Sequence, residues 1–313
     1  MKFFLAELFG FSLLVSLVLY IGSLHYGPPL PSSDFFDAII DKHAILDTTP
    51  SSRIIFCGGS NLAFGIDSKE IQDSIGMRVI NLGLNAALGL DFILNEIKTS
   101  ARPEDVVILS IEYFLGMDGD YKTKKEIANN FPKASTFYRQ NLYQEINLIV
   151  ENITLGLKRN LLALLEPKPI IENSKGNVYS RAAFNSFGDN VLYLDLPSYA
   201  KLADRSKMTY EYYDGIERLN ELADLAAKNN FKVYWLYPNY PQSEYDVNGA
   251  IIERYAKDLS AELKMPILNS PKDFVFADSL FYDTVYHLGK AGRKKRSEMI
   301  IDILKKNHIV GVK

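Results

Sequence analysis

The amino-acid sequence predicts an α/β protein: a three-layer sandwich with a mainly parallel sheet, plus an N-terminal transmembrane helix and a helical insertion. Short apolar runs typical of buried strands alternate with longer segments whose apolar residues recur at helical spacing. Strands and helices that alternate in this way form parallel sheets covered by helices. An uncharged apolar segment opens the chain, and a long segment without this alternation interrupts its middle.

The composition is that of a globular protein and excludes several classes. Of the 313 residues, 47% are hydrophobic and 23% are charged, which is enough apolar surface to form a core. Lys and Arg number 35 against 38 Asp and Glu, so the chain lacks the excess positive charge of nucleic-acid binders. The one cysteine, Cys57, excludes an intramolecular disulfide, and the histidines lack zinc-binding spacing. We therefore expect no metal and no cofactor.

The N-terminal segment Leu8–Leu24 carries no charge and is long enough to cross a bilayer, so residues 1–27 are predicted to be a signal anchor. A cleaved signal peptide and a buried soluble helix are the alternatives. Lys2 precedes the segment, and no Lys or Arg follows it before Lys42. This asymmetry places the N-terminus in the cytoplasm and the body outside a single-pass cytoplasmic membrane. Residues 28–52, which begin with a proline-rich stretch, are predicted to be a linker.

The body, residues 53–313, contains the alternating pattern. The predicted strands lie at 53–59, 77–83, within 102–113 after a turn, 231–238 and 265–270. The predicted helices lie at 67–75, 86–100, within 210–230, 250–264 and 293–306. An insertion at about residues 122–206 includes a long apolar-rich helical stretch. A packed helical subdomain, a lid, a partner-docking hairpin and a membrane-contacting element are all consistent with it. In parallel sheets of this kind, sites lie outside the carboxyl ends of the strands.

Three residues form a candidate catalytic constellation. Ser60 follows the first predicted strand after two glycines, which allow a tight turn. A serine hydroxyl becomes an effective nucleophile only when a base takes its proton. His287 is the candidate base, and Asp283 is the candidate acid that holds the imidazole tautomer.

These residues lie in motifs that resemble those of the SGNH (GDSL-like) hydrolase superfamily. Phe56–Asn61 (FCGGSN) is similar to the first block, with Gly59 where the family has Asp. Asn81–Gly83 resembles the second block, whose glycine supplies an oxyanion-hole N–H, and Asp283–His287 resembles the final block. The resemblance covers about residues 53–120 and 230–305 and is nearest to membrane-anchored, DltD-like members associated with envelope polysaccharide acylation. It implies a flavodoxin-like α/β fold and acyl-transfer chemistry.

Two departures from the family pattern affect the predicted site. Asp283 and His287 are four residues apart, where the family's usual spacing is three. The third block, which supplies the family's oxyanion-hole asparagine, is absent, and Glu112 and Tyr113 follow the third strand instead. Gly83, Asn85 and Asn61 are therefore the candidate oxyanion-hole residues, the first through the resemblance. The candidate substrate-binding residues follow strands or lie in a polar loop of the insertion: Glu112, Tyr113, Asn185, Asp189 and Asn239.

The leading functional hypothesis is a membrane-anchored, extracytoplasmic serine O-acyl esterase or O-acyltransferase that acts on an envelope or exported polysaccharide. The resemblance implies a glycan or acyl-donor substrate and a multipass membrane O-acyltransferase as partner. A non-catalytic glycan-binding or scaffold module of an acylation or export assembly is the main alternative. A lipase-like thioesterase is a third possibility. The sequence does not distinguish hydrolysis from transfer.

Overall fold

The computed structural model describes residues 2–24, 34–151, 154 and 177–309. The chain divides into two compact units, one from residues 1–33 and 140–175 and the other from residues 34–139 and 176–313. In the first unit, the described residues form the helix Lys2–Leu24 and a helical stretch at 142–151. No helix within the described ranges combines the length and the apolar character needed to cross a membrane. The predicted N-terminal transmembrane helix is therefore not supported.

A four-stranded parallel sheet forms the centre of the second unit. Its strands are β1 (Ile54–Gly58), β2 (Val79–Asn81), β3 (Val106–Ser110) and β4 (Lys232–Trp235), in the order β2-β1-β3-β4. Every residue of β1 and β3 is buried, as expected for the central strands of a parallel sheet. The predicted fifth strand is reduced to one parallel bridge between Trp235 and Ile267. A separate parallel pair consists of β5 (Tyr240–Pro241) and β6 (Val275–Phe276).

Helices flank this sheet, and an aspartate side chain caps the start of two of them. They are Ala38–Thr48, Ser60–Ala63, Ser68–Ile75, Gly89–Ser100, Tyr121–Asn130, Gly215–Lys228, Gln242–Glu262 and Lys290–Lys306. The side chain of Asp67 caps one of them by accepting a hydrogen bond from the Glu70 N–H at 3.1 Å. Lys290–Lys306 packs on Ser68–Ile75, and Gly215–Lys228 packs on Gly89–Ser100. The α/β class with a mainly parallel sheet is thus confirmed, and the helix pairs are compatible with a three-layer sandwich.

The boundaries of the folded unit differ from the predicted ones. Residues 34–52 were predicted to belong to a linker, but Ala38–Thr48 is a helix and its Leu46 is fully buried. Two polar residues, Lys42 and His43, also lie on its buried side, so the helix lacks the apolar stripe by which such a helix is detected in a sequence. Residues 122–139 and 177–206, which fall in the predicted insertion, also belong to this unit.

Candidate active site

The turn after β1 positions Ser60. The strand ends at Gly58, Gly59 precedes the short helix Ser60–Ala63, and Ser60 is half-buried. As the first residue of that helix, Ser60 has a backbone N–H without an intrahelical acceptor. Gly58 pairs with Ser110 at the end of β3, so the residues that follow the two strands lie side by side. A Cβ at position 59 would lie 2.2 Å from Oε2 of Glu112, so a larger residue there would force the Glu112 carboxyl group to move.

A short loop brings Asp283 and His287 together in spite of their spacing. The N–H of Tyr282 donates to the carbonyl of His287 at 2.8 Å, so the ends of the loop are paired. Inside the loop, the Thr284 hydroxyl oxygen accepts hydrogen bonds from the backbone N–H groups of Tyr286 and His287, each at 3.2 Å. Nδ1 of His287 then lies 2.8 Å from Oδ1 of Asp283. A spacing of four residues is therefore compatible with an Asp–His pair here.

Two aromatic residues complete the surroundings of this pair. The hydroxyl of Tyr179 donates to Oδ2 of Asp283 and lies 3.4 Å from Nδ1 of His287. Phe64 stacks on the imidazole of His287, with ring centroids 4.0 Å apart. Burial opposes ionisation of Asp283, but its hydrogen bonds and charge interaction with His287, together with the Tyr179 hydroxyl, outweigh this and lower its pKa below the usual value.

Ser60 and His287 line the same open cleft, which has a volume of about 770 Å³. Tyr179, Glu112, Tyr113 and Asn85 also line it. No hydrogen bond joins the side chains of Ser60 and His287 in the described part of the chain. Catalytic hydrogen bonds are often long without substrate and tighten in the complex, so the shared cleft is the relevant observation.

The three candidate oxyanion-hole residues occupy different environments. The N–H of Gly83 donates to Oδ1 of Asn81 at 2.9 Å, and Gly83 does not line the cleft, so this expected donor is already engaged. Asn61 is fully buried and uses its side chain to bond Ser110 and Arg296. Asn85 lines the cleft, and its Oδ1 accepts from the Ala87 N–H at 2.8 Å. Oδ1 of Asn85 is thus occupied by the backbone of its own turn. Its Nδ2 group is the part of the side chain that could donate to a molecule bound in the cleft.

Arg296 donates hydrogen bonds to the turn that carries Ser60, from the buried side of that turn. It is fully buried, and its guanidinium donates to Asn61, Asn239 and Ser110 at 2.6 to 3.1 Å. Asn239 is buried as well, and its Nδ2 donates to the Tyr286 carbonyl at 3.0 Å, next to His287. Arg296 thus connects, through Asn239, the turn that carries Ser60 to the loop that carries His287. Asn239 contacts Arg296 and the backbone next to His287, but it does not line the cleft.

The predicted polar loop of the insertion lies elsewhere. Asp189 is fully buried and accepts hydrogen bonds from Ser68, Asn81 and Arg293 at 2.6 to 3.0 Å. Asn185 accepts from backbone N–H groups of its own loop, at 2.9 and 3.0 Å. The structure does not bring either residue to the cleft.

Sequence reasoning missed Tyr179 and Arg296. Tyr179 lies in the insertion, far from any motif, and no local signal marks it. Arg296 belongs to the run Arg293–Arg296, which is predicted from its charge to be a solvated helix face. The structure corrects this prediction for the two arginines, which are buried, whereas Lys294 and Lys295 are exposed as expected. The helix Lys290–Lys306 carries buried apolar residues at Ile300 and Leu304, one and two turns after Arg296, and that spacing was the available signal.

No cluster of three or more His, Cys, Asp or Glu side chains suited to a metal ion occurs among the described residues. Comparison with protein-family models found no family that matches this chain. Comparison with curated proteins found no similar sequence either.

Proposed function

We propose that this protein is a serine O-acyl esterase or O-acyltransferase in which Ser60 is the nucleophile, His287 the base and Asp283 the residue that orients it. The observation that supports this most strongly is the 2.8 Å contact between Asp283 and His287 at a cleft that Ser60 also lines. Because Nδ1 of the imidazole is engaged by Asp283, Nε2 is the nitrogen left to accept the serine proton. This arrangement of hydroxyl, imidazole and carboxylate suits acyl transfer.

In the proposed reaction, Oγ of Ser60 attacks the acyl carbonyl carbon while Nε2 of His287 takes the hydroxyl proton. The carbonyl electron pair moves onto its oxygen, near the Ser60 N–H and the Asn85 amide. When the C–O bond to the leaving group breaks, His287 returns the proton to that group. Water or an acceptor hydroxyl then attacks the acyl-enzyme, with His287 again as base, and Ser60 is regenerated.

We further propose that the acyl group is carried by or passed to an envelope or exported polysaccharide. The cleft is wide and open, and Tyr113, Tyr240 and Tyr286 line it. Tyrosines pair an apolar ring with a polar hydroxyl, which matches the mixed surface of a sugar. This substrate requires a location outside the cytoplasm, which a reporter enzyme fused to the C-terminus would test. A membrane O-acyltransferase as donor partner belongs to the same proposal.

A non-catalytic glycan-binding or scaffold module is the second candidate. Two observations favour it: Ser60 and His287 share no hydrogen bond, and the Gly83 N–H is engaged by Asn81. In that case, the cleft would bind a glycan without cleaving a bond in it.

Labelling with a fluorophosphonate distinguishes the two candidates. The reagent reacts covalently with an activated serine, so the wild type should be labelled and Ser60→Ala should not. Ser206→Ala is the matched control, because Ser206 is an exposed serine of the same cleft, and this variant should react like the wild type. Equal labelling of wild type and Ser60→Ala, or no labelling of either, would exclude catalysis by Ser60.

A further inference from the structure

Glu112 is a buried acid, and one of its oxygens has no hydrogen-bond partner in the described part of the chain. It follows β3 by two residues, is 4% exposed and lines the cleft beside Ser60. Its Oε1 accepts a hydrogen bond from the Asn61 N–H at 3.0 Å. Its Oε2 is buried and has no hydrogen-bond partner among the described residues. An unpartnered buried polar atom is costly, by about 1–3 kcal/mol, so a group that persists in this state calls for a role.

The charges around Glu112 only partly favour its carboxylate form. None of the ion pairs in the described part of the chain includes Glu112. His287 lines the same cleft and lowers the pKa of Glu112, and Arg296 also interacts with its charge, although the Arg296 nitrogens bond Asn61, Asn239 and Ser110. Burial raises the pKa of Glu112, and the hydrogen bonds from Asn61 only partly offset this. Burial therefore extends the pH range in which Glu112 is a neutral acid, whose hydroxyl group can donate a hydrogen bond.

We infer that Glu112, as a neutral carboxylic acid, donates a hydrogen bond to the acyl oxygen that becomes negative when Ser60 attacks. This inference rests on the proposed function. The carboxyl group is held directly against the Ser60 turn, since a Cβ on Gly59 would lie 2.2 Å from Oε2 and 2.4 Å from Oε1. In this step a bond forms between Oγ of Ser60 and the acyl carbon, and the serine proton goes to His287. Glu112 keeps its own proton and shares it only as a hydrogen bond.

The opposite protonation state would work against the reaction. An ionised carboxylate beside Ser60 repels the oxyanion at short range in a poorly solvated site. Activity should therefore fall as the pH rises through the pKa of Glu112. The groups that face Glu112 and influence this pH dependence are His287, Arg296 and Tyr286.

The test measures kcat and KM for hydrolysis of p-nitrophenyl acetate by the full chain between pH 5.5 and 9.5. For wild type, kcat should fall towards the alkaline end of this range. Glu112→Gln keeps an N–H donor and an acceptor for the Asn61 N–H, so it should lose this alkaline fall. Glu112→Ala should lose about 10²–10³ in kcat with little change in KM, because the interaction forms only in the transition state.

A falling alkaline limb that survives in Glu112→Gln, or an unchanged kcat in Glu112→Ala, would overturn this role while leaving Ser60 as nucleophile. If wild type neither hydrolyses the ester nor reacts with the fluorophosphonate at Ser60, the acyl chemistry fails, and the role of Glu112 fails with it. Glu112→Gln has nearly the volume of the native side chain. Its thermal unfolding midpoint shows whether the variant is folded, so a general loss of structure is separated from a loss of the donor.

Discussion

The phenyl ring of Phe64 lies flat against the imidazole of His287, with the ring centroids 4.0 Å apart and the ring planes at 9°. Phe64 directly follows the short helix that begins at Ser60, and its N–H donates to the Ser60 carbonyl at 2.9 Å. The segment that carries the proposed nucleophile therefore also packs on the proposed base. Stacking restrains the plane of the imidazole, and Asp283 restrains its rotation within that plane.

We predict that Asp283→Asn lowers kcat by about 10³–10⁴, because an amide does not hold the tautomer that leaves Nε2 free to accept a proton. The fold should persist, since the substitution keeps the shape of the side chain. Ester hydrolysis and the rate of fluorophosphonate labelling measure the effect. Asp195→Asn is the control, because Asp195 is exposed and pairs with Lys290 at the surface. Activity equal to wild type in Asp283→Asn would show that this carboxylate does not orient His287.

We predict that Tyr179→Phe raises the pH at which acid destabilises the protein. The pKa of Asp283 is lowered in the folded state, so its ionised form stabilises the fold above the unfolded-state pKa, and this contribution is lost as the pH falls through the folded-state value. Without the Tyr179 hydroxyl, the folded-state pKa of Asp283 rises, so the loss of stability begins at higher pH. Urea unfolding between pH 2 and 6 measures the free energy of unfolding as a function of pH.

The control for this experiment is Tyr234→Phe, since Tyr234 is a half-buried tyrosine of β4 that does not line the cleft. Its free energy of unfolding should fall with decreasing pH as it does in the wild type. If the pH dependence of stability is the same for wild type and Tyr179→Phe, the hydroxyl does not stabilise the Asp283 carboxylate.

The main features of the sheet could be predicted from local patterns in the sequence. The strands β1 to β4 are short apolar runs, and their parallel pairing follows from the intervening helices. The position of Ser60 after β1 was predicted for the same reason, because a strand end is a local feature.

Side-chain partners that are distant in sequence could not be predicted. Arg296 and Asn61 are 235 positions apart, and Tyr179 and Asp283 are 104 apart. Such contacts depend on how the layers pack, and a run of arginines has the same composition on a buried and on a solvated helix face. The occupied N–H of Gly83 also depends on a side chain, that of Asn81, whose orientation no sequence pattern reveals.

We predict that Gly59→Ala destabilises the protein by about 1–3 kcal/mol, because the new methyl group would overlap the Glu112 carboxyl. The double variant Gly59→Ala/Glu112→Ala should recover most of this loss, since truncating Glu112 removes the overlap. Gly116→Ala is the control, because a Cβ at Gly116 would meet nothing within 4 Å. Chemical unfolding of wild type, Gly59→Ala, Glu112→Ala and the double variant gives the coupling energy. Additive effects of the two substitutions would show that they do not interact.

We predict that Lys42 makes the protein more stable as the pH rises from 7 to 9. Burial lowers the pKa of Lys42 from 10.5 to about 7, although the negative charges of Asp189 and Glu96 oppose this shift. The unfolded chain therefore binds a proton at Lys42 that the folded chain has released, and this difference raises stability by up to about 1.4 kcal/mol per pH unit. Lys42→Met should lack this slope. Its absolute stability also reflects the lost hydrogen bonds to the carbonyls of Asn81 and Gly188, so the slope is the informative quantity.

Urea unfolding at pH 7, 8 and 9 measures the slope for wild type, Lys42→Met and Lys69→Met. Lys69 is an exposed lysine paired with Asp73, so the last variant should keep the wild-type slope. All other titrating groups contribute equally to wild type and variant, and the difference between their slopes isolates Lys42. If the free energy of unfolding changes with pH by the same slope in wild type and Lys42→Met, Lys42 stays protonated in the folded protein. Its contacts with the two carbonyls would then be those of a buried ammonium group throughout this range.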